Sequence, residues 1–135
     1  MSNAKVELID IALKGCGNCA LYIPSSSTSE TTLVATRCEF ANSQYGAAVF
    51  GSLSSATFNN CVFHDNKYIG IYVQGATIQL HGESTAIHSN KIIGIRAIDS
   101  AKVVIHLPSH HNTFYNNGGE DRSTYTGGTI TNVED

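Results

Sequence analysis

The sequence has no tryptophan, few charged residues and no cluster of lysine and arginine. Only 14% of its 135 residues are charged, and the net charge of −3 argues against a nucleic acid or an anionic membrane surface as a partner. No apolar run approaches the roughly 20 residues that cross a bilayer. Glycine, serine, threonine and asparagine are abundant instead, and this composition favours a turn-rich all-β chain.

No secretory signal peptide is visible at the start of the chain. The first residues, Met1-Ser2-Asn3-Ala4, resemble a start codon followed by a cloning scar. We therefore expect residues 1–4 to be foreign and the remainder to be part of a longer protein, whose own targeting signals lie outside this sequence. An extracellular or cell-surface location is favoured.

A helical repeat is also missing, because apolar residues do not recur at i, i+3, i+4 and i+7. They alternate over short stretches between Asn, Gly and Ser clusters, which indicates short strands joined by tight bends. Residues 60–73 match residues 84–97 position for position, at an offset of 24 residues. Repeats of this length are typical of solenoids, in which equivalent strands pair in parallel about 4.8 Å apart.

Parallel stacking predicts columns of equivalent side chains. One inward column contains Phe40, Phe63, Ile87 and Phe114. A second is an asparagine ladder at a bend, formed by Asn42 or Ser43 with Asn66, Asn90 and Asn117. The amides of such a ladder can bond to each other and to the turn backbone, at roughly 1 kcal/mol per bond.

These repeats combine an Asn-rich bend, an aromatic residue, a second Asn and a Gly-Ile-x-Val strand, as at residues 70–73. Over about residues 31–117 they resemble the right-handed parallel β-helix of the pectate-lyase-like superfamily. The resemblance implies an all-β, right-handed parallel β-helix of about five coils with roughly 24 residues per coil. We expect one domain over residues 5–135, in which 118–128 is a polar loop and 129–133 a terminal strand. Uncapped coil ends would permit a homo-oligomer.

The four cysteines give no firm chemistry. Cys38 and Cys61 occupy one predicted inward position, as small buried hydrophobic residues do. Cys16 and Cys19 have the spacing of a redox or zinc pair, but no second pair completes four zinc ligands. A bend with incidental thiols and a disulfide both remain open.

Two outward columns are candidates for ligand binding. Tyr72 and Arg96 are equivalent positions on the repeated strand, and an aromatic ring beside a guanidinium suits a sugar ring or an acidic group. In the resembled superfamily this strand face and the preceding turn form the saccharide groove. The second column, His64 and His88, also fits an ordinary exposed sheet face. The predicted ligand-binding residues are Tyr72, Arg96, Lys67, Lys91, His64 and His88.

One corner of the solenoid lengthens from the third coil to the fifth, and insertions often lie on a binding face. It carries imidazoles and a carboxylate that could bind a transition metal. No HExxH-type motif is present, and histidines on a polar loop are commonly only solvated. The predicted metal ligands are His81, Glu83, His106 and His110; we expect no other cofactor.

The catalytic patterns of the resembled superfamily are missing. Its lyases need a carboxylate cluster that holds calcium beside a basic arginine, whereas Asp65 and Asp99 stand alone near Arg96. Its hydrolases need two or three close aspartates, and no such motif occurs. We therefore expect no catalytic residues.

Three functions remain compatible with the sequence. The favoured one is a non-catalytic module of a larger protein, serving as a spacer or as a saccharide- or protein-binding surface. The alternatives are a polysaccharide lyase or glycoside hydrolase fragment and an ice- or surface-binding solenoid. The last needs regular threonine rows, which Thr31, Thr32, Thr57 and Thr77 do not form.

Overall fold

The computed structural model describes residues 3–133. Within that range the regular secondary structure consists of β-strands alone. No helix in this part of the chain is long and apolar enough to cross a membrane. The strands are β1 Asn3–Ile9, β2 Ala12–Lys14, β3 Cys19–Ile23, β4 Glu30–Thr36, β5 Glu39–Ala41, β6 Tyr45–Phe50, β7 Ser54–Asn59, β8 Val62–His64, β9 Ile69–Gln74, β10 Thr77–His81, β11 Ala86–His88, β12 Ile93–Ile98, β13 Lys102–His106, β14 Phe114–Tyr115, β15 Glu120–Tyr125 and β16 Thr129–Asn132.

The strands form three parallel sheets, and each neighbour in a sheet is the equivalent strand of the next coil. The first sheet has the order β1-β4-β7-β10-β13-β16, the second β2-β5-β8-β11-β14 and the third β3-β6-β9-β12-β15. The register repeats from coil to coil, as in the alignment of Ile71 with Ile95 and of Phe63 with Ile87. The predicted all-β solenoid of about five coils is therefore confirmed.

Residues of left-handed backbone conformation lie at most of the corners between strands. At the corner between the second and third sheets, Asn42, Asp65, Ser89 and Asn116 have φ between 54° and 57°. Asn and Asp tolerate this region better than most side chains. The Asn-rich bends of the sequence therefore mark corners, where the chain must turn sharply and still keep its inter-coil hydrogen bonds.

The core consists of inward columns that run through the coils. Phe40 and Phe63 stack with ring centroids 4.9 Å apart and planes at 13°, and Ile87 and Phe114 continue the column in register. Cys38 and Cys61 are buried, Cys16 and Cys19 are half-buried, and none of the four forms a disulfide. Burial raises the pKa of Cys61 to about 11, so its thiol is a packing group rather than a nucleophile.

A row of inward amides, here called the amide column, connects coils two to five beside this core. Asn66 Nδ2 donates to Asn90 Oδ1 at 2.9 Å, and Asn90 Nδ2 donates to Asn117 Oδ1 at 3.0 Å. Asn90 Nδ2 also donates to the Phe63 carbonyl at 3.1 Å. Asn66 and Asn90 are almost fully buried, so these bonds satisfy groups that would otherwise be costly to remove from water.

Glycine at the start of the third-sheet strands makes room for the amide column. A Cβ on Gly70 would lie 2.7 Å from the Gly94 carbonyl oxygen and 2.8 Å from Asn90 Nδ2. A Cβ on Gly46 would meet the Gly70 carbonyl and Asn66 Nδ2 at similar distances. The repeated Gly-Ile pair is therefore a steric requirement of coil stacking.

The last coil corrects the sequence prediction. Residues 118–128 are not a polar loop, because β15 lies within them and pairs in parallel with β12. Arg122 occupies the inward position that Ile71 and Ile95 fill in earlier coils. Its guanidinium lies 4.9 Å from the centroid of the Phe114 ring and donates to Asn132. Because Arg122 is charged, it interrupts the alternation of apolar and polar residues by which the other strands were predicted.

Two smaller differences concern coil boundaries. The repeat predicts that Asn112 takes the inward position of Cys38 and Cys61 in coil five. Asn112 is exposed and Thr113 is buried instead, because the longer bend there shifts the inward position by one residue. At the start of the chain, Asn3 and Ala4 belong to β1 and pair with β4. Met1 and Ser2 of the expected cloning scar lie outside the described residues.

Gly70→Ala should lower the free energy of unfolding by about 1–3 kcal/mol, since overpacking forces the Gly94 carbonyl and the Asn90 amide apart. Gly17→Ala is the matched control, because a Cβ there meets no atom within 4 Å, and we expect it to be neutral or slightly stabilising. Urea denaturation of both variants measures the difference. Equal stability of the two variants would contradict the steric role of Gly70.

Candidate ligand-binding site

A narrow cleft opens on the outer face of the third sheet. Register places Tyr22, Ala48, Tyr72 and Arg96 in one outward column. Because the side chain of Ala48 is small, a cleft of about 250 Å³ remains between the two tyrosines of the column. Its lining residues are Asn18, Cys19, Tyr22, Tyr45, Ala48, Phe50 and Tyr72.

Four rings, here called the aromatic cluster (Tyr22, Tyr45, Phe50 and Tyr72), form the walls of the cleft. Tyr45 and Tyr72 stack with centroids 5.7 Å apart and planes at 28°. Phe50 meets Tyr72 edge-on at 5.5 Å and Tyr22 edge-on at 5.6 Å. Each ring is therefore held by at least one neighbour, and the wall is formed before any ligand arrives.

Arg96 lies next to Tyr72 on the neighbouring strand. Its Nε is buried and has no hydrogen-bond partner within residues 3–133. An unpaired polar atom of this kind costs free energy unless something else satisfies it. Burial raises the pKa of the nearby Tyr45 hydroxyl, Tyr72 adds to the rise, and Arg96 acts in the opposite direction. Arg96 is therefore close enough to the cleft wall to act on the Tyr45 hydroxyl, although it does not line the cleft.

Lys67 and Lys91 line a shallow depression of about 570 Å³ at the corner between the second and third sheets. The Lys67 ammonium lies 5.9 Å from the centroid of the Tyr68 ring, and Tyr68 lies 5.8 Å from Tyr45. A continuous surface therefore runs from the two lysines to the aromatic cluster. Four of the six predicted ligand-binding residues lie along it.

The other two predicted residues, His64 and His88, lie on the second sheet and line neither the lysine depression nor the aromatic cleft. Their rings stack with centroids 5.0 Å apart, and His88 stacks on Tyr115 at 4.5 Å. The two ring nitrogens of His64 contact the carboxylates of Glu39 and Asp65. These contacts leave no free ring nitrogen on His64.

The protonation of His64 follows from these partners. Burial lowers its pKa, but the hydrogen bonds with Asp65 and Glu39 outweigh this effect, so the pKa is raised above the ordinary value. The hydrogen bond from His64, followed by that from Lys14, lowers the pKa of Glu39. His64 is therefore part of an internal ion cluster, and its role in ligand binding remains a prediction.

The lengthened corner brings only part of the predicted metal site together. His81 and His106 stack with centroids 4.0 Å apart, and His106 Nε2 donates to Gln79 at 3.0 Å. Glu83 is exposed and uses its carbonyl, not its carboxylate, to accept a hydrogen bond from His111. Among residues 3–133, no three His, Cys, Asp or Glu side chains form a group that could hold a metal ion. Metal binding at this corner remains a prediction.

The two aspartates expected near Arg96 have other partners. Asp65 contacts His64 on the second sheet. Asp99 accepts hydrogen bonds from Gln74 at 2.8 Å and from Thr126 at 2.7 Å. The residues that line the aromatic cleft include no aspartate or glutamate.

Sequence reasoning missed three of the four aromatic rings. Tyr45 aligns with the buried Ile69 and reads as an inward residue, although its ring turns outward onto Tyr72. Tyr22 and Phe50 lie in coils one and two, outside the clean repeat. The sequence did contain one signal for the cleft. In the outward column the small Ala48 lies between Tyr22 and Tyr72, and this pattern indicates a gap between the two rings.

Comparison with known proteins agrees with this architecture. A family model described as "Right handed beta helix region" matches residues 1–134. This match supports the right-handed β-helix that the repeat predicts. No curated protein and no solved structure matches the chain significantly.

We expect His64→Gln to cost more stability near pH 6 than near pH 9. A raised pKa means that the stabilising contribution of protonated His64 is fully present below the unfolded value of about 6.5 and is lost as the pH rises through the folded value. Urea titrations of wild type and variant at the two pH values measure this difference. His110→Gln, at an exposed histidine, is the control and should show no such trend. An equal loss for His64→Gln at both pH values would refute the ion cluster.

Proposed function

Because the chain belongs to the right-handed β-helix family, we propose that it is a non-catalytic binding module whose third sheet holds an acidic saccharide. The observation that carries this proposal is the aromatic cleft, with Arg96 on the strand next to Tyr72. Aromatic rings present a flat apolar face to a sugar ring. A guanidinium binds a carboxylate through two parallel hydrogen bonds.

The size of the cleft favours a single ring over a protein surface. Its volume of about 250 Å³ lies just below the usual range for small-molecule pockets, about 300–1,000 Å³. A protein partner would instead need a much larger contact area. Preformed walls also limit the entropy lost on binding.

The lysine depression extends the same surface. Lys67 and Lys91 are exposed and lie one coil apart along the corner. Asp65 lines the same depression, but its carboxylate is paired with His64. Lys67, Lys91 and Arg96 therefore leave a net positive charge along the solenoid, which favours a polymer with repeated carboxylates over a single acidic sugar. The aromatic cluster then holds one ring, while the lysines contact acidic groups further along the polymer.

We propose a module without catalytic activity, because acid/base cleavage of a glycosidic bond needs two carboxyl groups that flank the bond. The cleft lining contains none. Asp65 and Asp99, the nearest candidates from the sequence, are engaged by His64, Gln74 and Thr126. Bond cleavage by this surface would require one of them to leave its present partners.

We expect the double variant Tyr72→Ala/Arg96→Ala to bind oligogalacturonate at least about tenfold more weakly than wild type. Isothermal titration calorimetry with acidic and neutral oligosaccharides, with and without calcium, measures this loss. The single variants separate the two roles. Arg96→Ala should reduce binding of the acidic ligand selectively, whereas Tyr72→Ala should weaken any ligand that stacks in the cleft.

Tyr125→Ala is the matched control, because Tyr125 is an exposed tyrosine of the same sheet, separated from Tyr72 by β12. It should leave affinity unchanged. Absence of saccharide binding by wild type would refute the proposal. Release of products from polygalacturonate, abolished by Arg96→Ala or Asp65→Asn, would show that the surface is catalytic.

A further inference from the structure

The outer edge of the first coil is unpartnered. Within residues 3–133, β1 pairs only with β4, and no strand covers its other side. Large apolar side chains of this coil stay exposed, at 40% for Val6, 48% for Ile9 and 54% for Tyr22. Unpaired edge strands with exposed apolar residues are templates for pairing with another chain.

At the opposite end of the solenoid, β14, β15 and β16 also have an unpaired edge within residues 3–133, but polar side chains lie over the core layer. Arg122 lies over the Phe114 ring and donates to Asn132, whose own amide donates to the Leu107 carbonyl at 2.8 Å. Polar residues thus cover the last described core layer. Tyr125 and Val133 are also exposed at this end, at 66% and 41%, so the two ends differ in the polar residues over the core layer rather than in exposed apolar side chains.

The direction of the free backbone groups on β1 follows from one hydrogen bond. Asp10 N–H donates to the Thr36 carbonyl of the second coil. Because successive residues of a strand alternate sides, the N–H and C=O groups of Lys5 and Glu7 face the open edge, away from β4. These two residues are ready to form a hydrogen-bonded antiparallel pair.

Charge selects one register for such a pair. A two-fold axis at Lys5 or at Glu7 would place identical charges opposite each other, which is destabilising. A two-fold axis at Val6 instead places Lys5 of each copy opposite Glu7 of the other copy, which gives two pairs of opposite charge. Both residues are exposed, and neither forms an ion pair within residues 3–133.

We propose that this edge is an interface between two copies of the chain, in which the two β1 strands pair antiparallel about a two-fold axis at Val6. The arrangement is isologous, so it closes at a dimer rather than growing into a filament. Val6 and Leu8 align with the inward residues Leu33 and Ala35. Their apolar side chains from the two copies therefore meet on the same face and join the cores.

Charge reversal at the two opposed positions tests this interface in the whole 135-residue chain. Analytical ultracentrifugation should show a dimer for wild type. Lys5→Glu alone and Glu7→Lys alone should each weaken the dimer at least about tenfold, since each places like charges opposite each other. Far-UV circular dichroism should show both variants folded, because both positions are exposed.

Two complementary arrangements should restore the dimer. The double variant Lys5→Glu/Glu7→Lys again opposes unlike charges, and an equal mixture of the two single variants should form a heterodimer. Lys102→Glu, an exposed lysine on β13 of the same sheet, is the matched control and should not affect association. A monomeric wild type, a dimer that resists both reversals, or a mixture that stays dissociated would each overturn the proposal.

Discussion

Hydrogen bonds between inward amides fix the register of each coil on the next. A slip by one residue would move every side chain to the opposite face of its sheet. Asn66 and Asn90 resist such a slip, because each donates to the next amide and to a carbonyl of the preceding coil. Gly70 and Gly94 make this close approach possible. The columns of rings and aliphatic side chains depend on that alignment.

The repeat made much of this architecture predictable. Where coils three and four carry the same residues, sequence alone located the strands and the Phe63–Ile87 column. Prediction failed where an end or a corner imposed another demand. Arg122 occupies an inward position over the Phe114 ring, and its charge made β15 look like a loop. In the last described layer the inward position is occupied by a charged side chain, whereas the equivalent position in coils three and four is occupied by isoleucine.

The candidate site was only partly predictable for a related reason. Tyr72 and Arg96 follow directly from the repeat, since they are equivalent positions. The ring of Tyr45 depends on a side-chain orientation that a residue pattern does not contain. The contacts of His64 with Glu39 and Asp65 join two coils with little sequence similarity at those positions. Local periodicity reports which face a residue occupies, but not which neighbour its side chain reaches.

The amide column also determines how such a molecule can change in length. Asn66 and Asn90 make the same set of bonds, so a duplicated coil placed between them would find a donor below and an acceptor above already in position. Neither the Arg122 closure nor the β1 edge would need to change. Lysines and aromatic rings carried by the copied segment would lengthen the outer surface by one step. Growth by whole coils is therefore available to this chain, whereas the insertion of a few residues is confined to the corners.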